Sequence, residues 1–224
     1  MANHRGGALH VILWDLPTRL FHWALAVLIT ASITTGLLGG FDEMEIHKLS
    51  GYSILALLLF RILWGIAGSR HSRFVSFVPS PGKLVRYIPG RSAVGEIGPG
   101  HNPLGALSIV AMLIVILAQV GTGLFAYDDI MTEGPLATIV SYDTSRWLTG
   151  LHKDNVWILG GLITLHILAI LFYTFVRKES LIRPMITGKK TDLTPDNPAP
   201  AHWSLALAIA LLAASTVWLV VTYN

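Results

Sequence analysis

Two histidines, His152 and His166, lie fourteen residues apart in one very apolar segment of the chain. Because an α-helix has about 3.6 residues per turn, both imidazoles leave nearly the same helix face. At about 1.5 Å per residue the rings are roughly 21 Å apart along the axis, which is most of a hydrocarbon core about 30 Å thick. Ionisable side chains at two depths of a membrane helix are costly and usually mark a functional site.

Two further histidines fall at matching depths. His22 begins the first apolar segment, at the depth of His166, and His47 begins the second, at the depth of His152. A haem iron with two axial imidazoles needs one ligand from each side of the macrocycle, and facing helices of a bundle can provide them. The spacing therefore predicts two bis-histidine haems, one near each membrane face. A single histidine near a helix end is more often an interfacial residue, which is our interpretation of His4, His10, His71, His101 and His202.

The elements that must position these histidines are transmembrane helices. Five apolar segments have about the 20 residues that a span requires, and they cover residues 17–40, 46–68, 103–126, 151–176 and 202–222. Only 13% of the residues are charged, compared with about 25% in soluble domains. The chain has no cysteine, which excludes disulfides, thiolate-held iron–sulfur clusters and covalently attached haem. Any haem is therefore non-covalent and b-type.

The distribution of charge predicts the topology. The membrane side that holds the chain's N-terminus has thirteen basic and five acidic residues, whereas the other side has three basic and eight acidic ones. The positive-inside rule places the N-terminus in the cytoplasm and, with five helices, the C-terminus on the opposite, outer side of the membrane. The basic pI of about 9.3 is thus a sign of topology and of contact with the lipid bilayer, and we expect no nucleic-acid partner.

Two glycines have positions that suit a flat cofactor. Gly36 lies fourteen residues after His22, near the depth of the outer histidine pair, and Gly51 follows His47 by one turn on the same helix face. A glycine lets a macrocycle approach the helix backbone, so both are candidate cofactor-binding residues. Small residues also allow ordinary helix packing, and that alternative stays open.

Two arginines are candidates for holding a haem propionate. Arg61 lies fourteen residues after His47, which places a cation at the depth of the inner haem, where it needs an anionic partner. Chemistry at a quinone site is a second interpretation of Arg61. Arg19 lies three residues before His22, and a snorkelling surface arginine is the alternative there.

Several motifs together resemble the bacterial di-haem cytochrome b561 family, which includes the b-type cytochrome subunits of membrane-bound nickel–iron hydrogenases. The similar stretches lie within residues 10–190 and include WDLPTRLFHW (Trp14–Trp23), HKLSGY (His47–Tyr52), FRILWGIAGSRHSRF (Phe60–Phe74), EGPLA (Glu133–Ala137), LHKDNVWILGGLITLH (Leu151–His166) and RPMITGKK (Arg183–Lys190). The resemblance implies that the metal ligands are His22, His47, His152 and His166.

The same resemblance implies the fold and the domain organisation. It indicates an all-α integral membrane protein in which a four-helix haem-binding transmembrane bundle is followed by a fifth C-terminal transmembrane helix. Residues 1–190 are then the di-haem cytochrome b domain, and residues 191–224 are a linker and the added helix.

The function that the resemblance implies is transmembrane electron transfer through two b haems. The electrons pass between a periplasmic redox partner, either a c-type cytochrome or a hydrogenase-like subunit, and the quinone pool. The acidic outer side would dock such a partner, and the 127–150 loop is either the docking element or a simple cover of the outer haem. Arg61 and the basic 69–102 loop are candidates for the quinone site. Two alternatives remain: a stand-alone quinone-linked oxidoreductase acting on a small external molecule such as superoxide, and a non-redox metal-binding transporter or anchor.

Overall fold

The computed structural model describes residues 10–12, 14–80, 82, 103–130, 132–191 and 202–223. Five helices in it are long and apolar enough to cross a membrane, which confirms the predicted all-α membrane bundle. They are α1 (Leu16–Leu38), α2 (Phe41–Ala67), α3 (Pro103–Leu124), α4 (Tyr142–Phe175) and α5 (Trp203–Thr222). Short helices cover Phe74–Phe77, Ala137–Ile139 and Ile182–Thr187, and strands β1 (His10–Ile12) and β2 (Lys189–Thr191) form a small antiparallel ribbon.

Local sequence signals account for the helix ends. Asp15 caps α1, where its carboxylate accepts a hydrogen bond from the Thr18 backbone N–H at 2.7 Å. The chain then turns at Gly39, whose φ of +58° is accessible to glycine at little cost, and α2 begins two residues later. We call the end of the bundle that holds this turn the outer end and the opposite end the inner end.

Helix α4 begins nine residues before the predicted segment 151–176. The Ser141 side chain caps it by accepting from the Thr144 N–H at 3.2 Å. Its 34 residues span about 50 Å, which exceeds a hydrocarbon core of about 30 Å. Hydropathy detects only the apolar part of such a helix, and for that reason the polar first turns were missed.

The helices pack as two pairs with an additional helix beside them. Helix α1 packs along α2, α3 packs along α4, and α2 joins the two pairs by contacting α3. A core cluster fills the junction with side chains from all four helices: Ile29, Ile54, Leu58, Ile116, Val120 and Leu159. Helix α5 packs against α2, where Ala206, Ile209 and Ala213 lie on an aromatic cluster of Phe21, Phe60 and Trp64. The added helix therefore covers the first pair.

A buried carboxylate fastens the inner ends of α1 and α2 together. Asp15 accepts hydrogen bonds from the indole N–H of Trp64 at 3.1 Å, from the hydroxyl of Ser72 at 2.7 Å and from the hydroxyl of Ser69. Burial raises the pKa of Asp15, but the hydrogen bonds from Ser69, Ser72 and Thr18 outweigh that effect, and the net pKa is lowered. The folded protein therefore favours the ionised carboxylate.

This network predicts a pH-dependent stability. Because the folded-state pKa is lowered, Asp15 stabilises the fold above its unfolded pKa of about 4, and the stabilisation is lost as the pH falls through the lower folded value. We expect Asp15→Asn to reduce the free energy of unfolding by about 2 kcal/mol at pH 7, with the difference from wild type shrinking in strongly acidic buffer. Thermal unfolding in detergent between pH 3 and pH 7 measures this, with the exposed Asp154→Asn as control. An equal loss at every pH would contradict it.

Candidate functional site

The outer end of the bundle brings two of the predicted histidines close together. The rings of His47 on α2 and His152 on α4 have centroids 5.8 Å apart, and their planes are at 89° to each other. Because a bond between a metal and an imidazole nitrogen is about 2 Å long, this separation is close to that of two axial ligands on one metal atom. The two residues are 105 positions apart in the chain, so the fold creates the pair.

Each ring is oriented by a backbone carbonyl of the neighbouring helix. Nδ1 of His47 donates to the carbonyl oxygen of Ser32 on α1 at 2.8 Å, and Nδ1 of His152 donates to that of Gln119 on α3 at 2.8 Å. Since a carbonyl can only accept, the proton of each neutral imidazole lies on Nδ1. The Nε2 atoms are therefore the unprotonated nitrogens, which is the state that a metal ligand requires.

Two glycines make room for these rings. A Cβ atom at Gly36 would lie 2.8 Å from Cε1 and Nδ1 of His47, and one at Gly123 would lie 2.9 Å from Cε1 of His152. Any larger residue would displace the imidazole. Sequence reasoning identified Gly36, although as a residue for the macrocycle, and it missed Gly123. The signal that it overlooked is a short repeat, A-x-x-x-T-G, which occurs as ASITTG at 31–36 and AQVGTG at 118–123.

A cavity of about 430 Å³ surrounds the outer pair, which is within the usual range for small-molecule sites of about 300–1,000 Å³. Its lining includes Ser32, Gly36, His47, Gly51, Gly123 and His152. A Cβ atom at Gly51 would have nothing within 4 Å, so this glycine borders open space. Gly65, which shares its helix face, instead accommodates the ring of Phe74, with which an added Cβ would clash.

The loop between α3 and α4 closes the outer side of the cavity. Its lining residues there include Tyr127, Glu133 and Gly134. The Gly134 N–H donates to the carbonyl of Ala126 at 2.8 Å, and the Leu136 N–H donates to that of Leu124 at 2.8 Å. The loop is thereby tied to the end of α3 and covers the histidine pair.

The inner histidines are His22 on α1 and His166 on α4. They lie close enough for electrostatic interaction, although their rings do not touch in the described part of the chain. The Nδ1 atom of His22 is buried and has no hydrogen-bond partner among the described residues. In contrast to the outer rings, the orientation of this imidazole leaves a buried polar atom unsatisfied, and such atoms are rare without a bound partner.

The two predicted arginines are both held at the inner end. Arg19 donates from its guanidinium to the carbonyl of Ile186, while its Nε is buried without a partner among the described residues. The side chain of Arg61 is only 5% exposed and donates to the carbonyl of Ser72 at 3.0 Å. Its Cζ lies 4.8 Å from the centroid of the Phe74 ring, a distance typical of a cation–π contact.

Ser72 connects this cation to the buried carboxylate, because its hydroxyl donates to Asp15 and its carbonyl accepts from Arg61. The anionic partner that the sequence required for Arg61 is thus available within the protein. Its role toward a propionate or a quinone stays a prediction, and residues 81 and 83–102 of the basic 69–102 loop lie outside the described residues.

A known protein family matches the part of the chain that contains these histidines and arginines. The sequence profile of prokaryotic cytochrome b561 matches residues 13–188, a stretch that contains all four histidines that the sequence predicts as ligands. The chain belongs to the prokaryotic cytochrome b561 family. It is a multi-pass membrane protein of electron transport that binds haem b, as the resemblance predicted.

Relatives with assigned names agree with this membership. Probable Ni/Fe-hydrogenase B-type cytochrome subunits from Bradyrhizobium diazoefficiens and Azotobacter chroococcum are each 25% identical to this cytochrome, covering 80% of its chain and 85% and 87% of theirs. The probable Ni/Fe-hydrogenase 1 B-type cytochrome subunit of Escherichia coli is 20% identical, over 80% of this chain and 89% of its own. No solved structure matches the chain.

Proposed function

We propose that this cytochrome carries electrons across the membrane through two b haems, bound by His47 with His152 and by His22 with His166. The observation that carries the proposal is the outer pair: two facing imidazoles with both Nδ1 atoms bonded to carbonyls. A bare metal ion such as zinc needs three or four protein ligands. Two ligands are enough for an iron that already has four bonds to a macrocycle.

The surroundings of the outer pair fit a haem. The cavity borders both rings, and Gly51 leaves open space beside His47. Hydrogen bonds from Nδ1 to a carbonyl make the imidazoles stronger ligands. Haem iron supplies one-electron chemistry when bound, and the residues of this chain hold the group, exclude water from it and adjust its potential.

The inner site differs from the outer one in that two of its polar atoms are left unsatisfied in the described part of the chain. The Nδ1 of His22 and the Nε of Arg19 are both buried without partners among the described residues. A propionate beside them could accept from the guanidinium, as the position of Arg19 three residues before His22 predicts. The two haems would then lie at two depths of the bundle, which is the arrangement that electron transfer across a membrane needs.

The outer and inner haems would exchange electrons with different partners. The relatives are named as hydrogenase cytochrome subunits, so we infer a hydrogenase-like subunit or a c-type cytochrome at the periplasmic side. The acidic side chains on that side would attract a basic partner, and they include Asp42, Glu45, Asp129, Glu133, Asp143 and Asp154, all of them exposed. A quinone would exchange electrons with the inner haem near Arg61. In this orientation the N-terminus is cytoplasmic in the bacterial inner membrane.

The haem content of the purified protein tests the proposal. We expect two haems per polypeptide by pyridine haemochrome analysis and a dithionite-reduced minus oxidised spectrum of the b type. The oxidised haems should be low-spin, because each iron would be held by two imidazole ligands. A single haem per chain, or a high-spin spectrum from either site, would contradict the proposed ligand pairs.

A further inference from the structure

The repeat A-x-x-x-T-G builds the same structure on α1 and α3. Thr35 donates to the carbonyls of Ala31 at 2.8 Å and Ser32 at 3.3 Å. Thr122 donates in the same way to the carbonyls of Ala118 at 2.7 Å and Gln119 at 3.0 Å. In both helices the carbonyl one residue after the alanine also accepts from a histidine Nδ1. The two facing rings are thus oriented by equivalent backbone positions.

The residues at these equivalent positions differ in their side chains. On α1 the position is Ser32, whose hydroxyl lies 3.3 Å from Nδ1 of His47. On α3 it is Gln119, whose Nε2 donates to the backbone carbonyl of His152 at 3.0 Å. Gln119 and His152 therefore bond in both directions, because the histidine ring also donates to the Gln119 carbonyl. The same amide nitrogen lies 3.3 Å from both Nδ1 and Nε2 of that ring.

A second amide completes the connection between α3 and α4. Asn155 lies on α4 one turn after His152, and its Nδ2 donates to Oε1 of Gln119 at 2.7 Å and to the carbonyl of Val115 at 3.1 Å. Both amides are partly buried within membrane-spanning helices. Polar groups are costly at such depths unless they are hydrogen-bonded. The two amides are hydrogen-bonded to each other, to the backbone of α4 at His152 and to the backbone of α3 at Val115.

We propose that Gln119 and Asn155 are positioning residues for His152. They hold α3 and α4 in the register at which the Gln119 carbonyl accepts the Nδ1 proton, and they thereby direct Nε2 toward the iron and set the plane of the ring. This inference rests on the proposed ligation of the outer haem by His152. General interhelical hydrogen bonding would stabilise the bundle but would not act on one haem alone.

Gln119→Met and Asn155→Leu test the proposal, because each removes the amide hydrogen bonds and keeps an apolar side chain of similar size. Thr164→Val is the matched control on α4, since among the described residues that hydroxyl bonds only to the Gly160 carbonyl of its own helix, at 2.8 Å. The readouts are the loss of each haem to an excess of apomyoglobin, the electron paramagnetic resonance of the ferric haems, which reports the orientation of the axial ring planes, and the two midpoint potentials.

We expect both variants to release the outer haem about tenfold more readily, with a shifted resonance and a raised potential for that haem alone. The control should behave like wild type. Unchanged outer-haem signals in folded variants, or equal changes at both haems together with a lower unfolding temperature, would overturn the proposal and leave the proposed function standing. A wild-type protein without two haems would overturn the proposed function itself.

Discussion

We expect His47→Ala and His152→Ala to remove the same haem, and His22→Ala and His166→Ala to remove the other. Each single variant should retain about half of the wild-type haem, since a bis-histidine iron that loses one of its two protein ligands is held poorly. The facing rings of the outer pair, 5.8 Å apart, make this the largest effect that the structure predicts. Haem per chain and reduced-minus-oxidised spectra measure it.

Double variants make the pairing itself testable. His47→Ala combined with His152→Ala should lose no more haem than either change alone, because residues that act as one unit are not additive. His47→Ala combined with His22→Ala should lose both haems. His202→Ala, at an exposed residue that precedes α5, is the control and should retain both. If His47 and His152 prove to hold different haems, the assignment of ligands by depth is wrong.

We expect Gly123→Ala to abolish most binding of the outer haem without unfolding the protein. The new Cβ would lie 2.9 Å from Cε1 of His152, which forces the imidazole away from α3. Alanine itself favours a helix over glycine by about 1 kcal/mol, so the haem-free helix should not be weakened. Gly36→Ala should act in the same way on His47, where the added atom would lie 2.8 Å from the ring.

The matched control is Gly121→Ala, which lies on the same helix two residues earlier and has nothing within 4 Å of its added Cβ. We expect it to retain both haems. The measurement is again haem per chain, together with the unfolding temperature of the haem-free protein. Equal haem contents in the Gly121→Ala and Gly123→Ala variants would show that the His152 ring does not depend on the close approach.

Much of the architecture could be predicted because membrane segments obey a simple rule. Runs of about 20 apolar residues must be helices that satisfy their own backbone, and charge asymmetry suggests their direction. The depth of each histidine follows from its place in such a run. The same rule failed at the start of α4, since residues 142–150 are mostly polar and extend the helix beyond its apolar part.

The details of the outer site could not be predicted from the sequence, because they depend on contacts between different helices. The role of Gly123 depends on a ring that comes from another helix, 29 positions later in the chain. The repeat that contains Gly123 has only three identical residues in six. It becomes noticeable only when the structure shows that each copy contacts a histidine ring. Likewise, the connection of Arg61 to Asp15 through Ser72 joins residues 46 positions apart, and no local pattern indicates it.

The central claim is that the two haems form one path across the membrane, and electron transfer through sealed vesicles tests it most directly. The cytochrome would be reconstituted in liposomes that contain trapped ferricyanide, with a potassium ionophore to prevent a membrane potential, and dithionite would be added outside. We predict that wild-type protein reduces the trapped ferricyanide and that His47→Ala and His22→Ala each abolish this reduction. If wild-type protein contains both haems, each reducible by dithionite, while the ferricyanide stays oxidised, the account is contradicted.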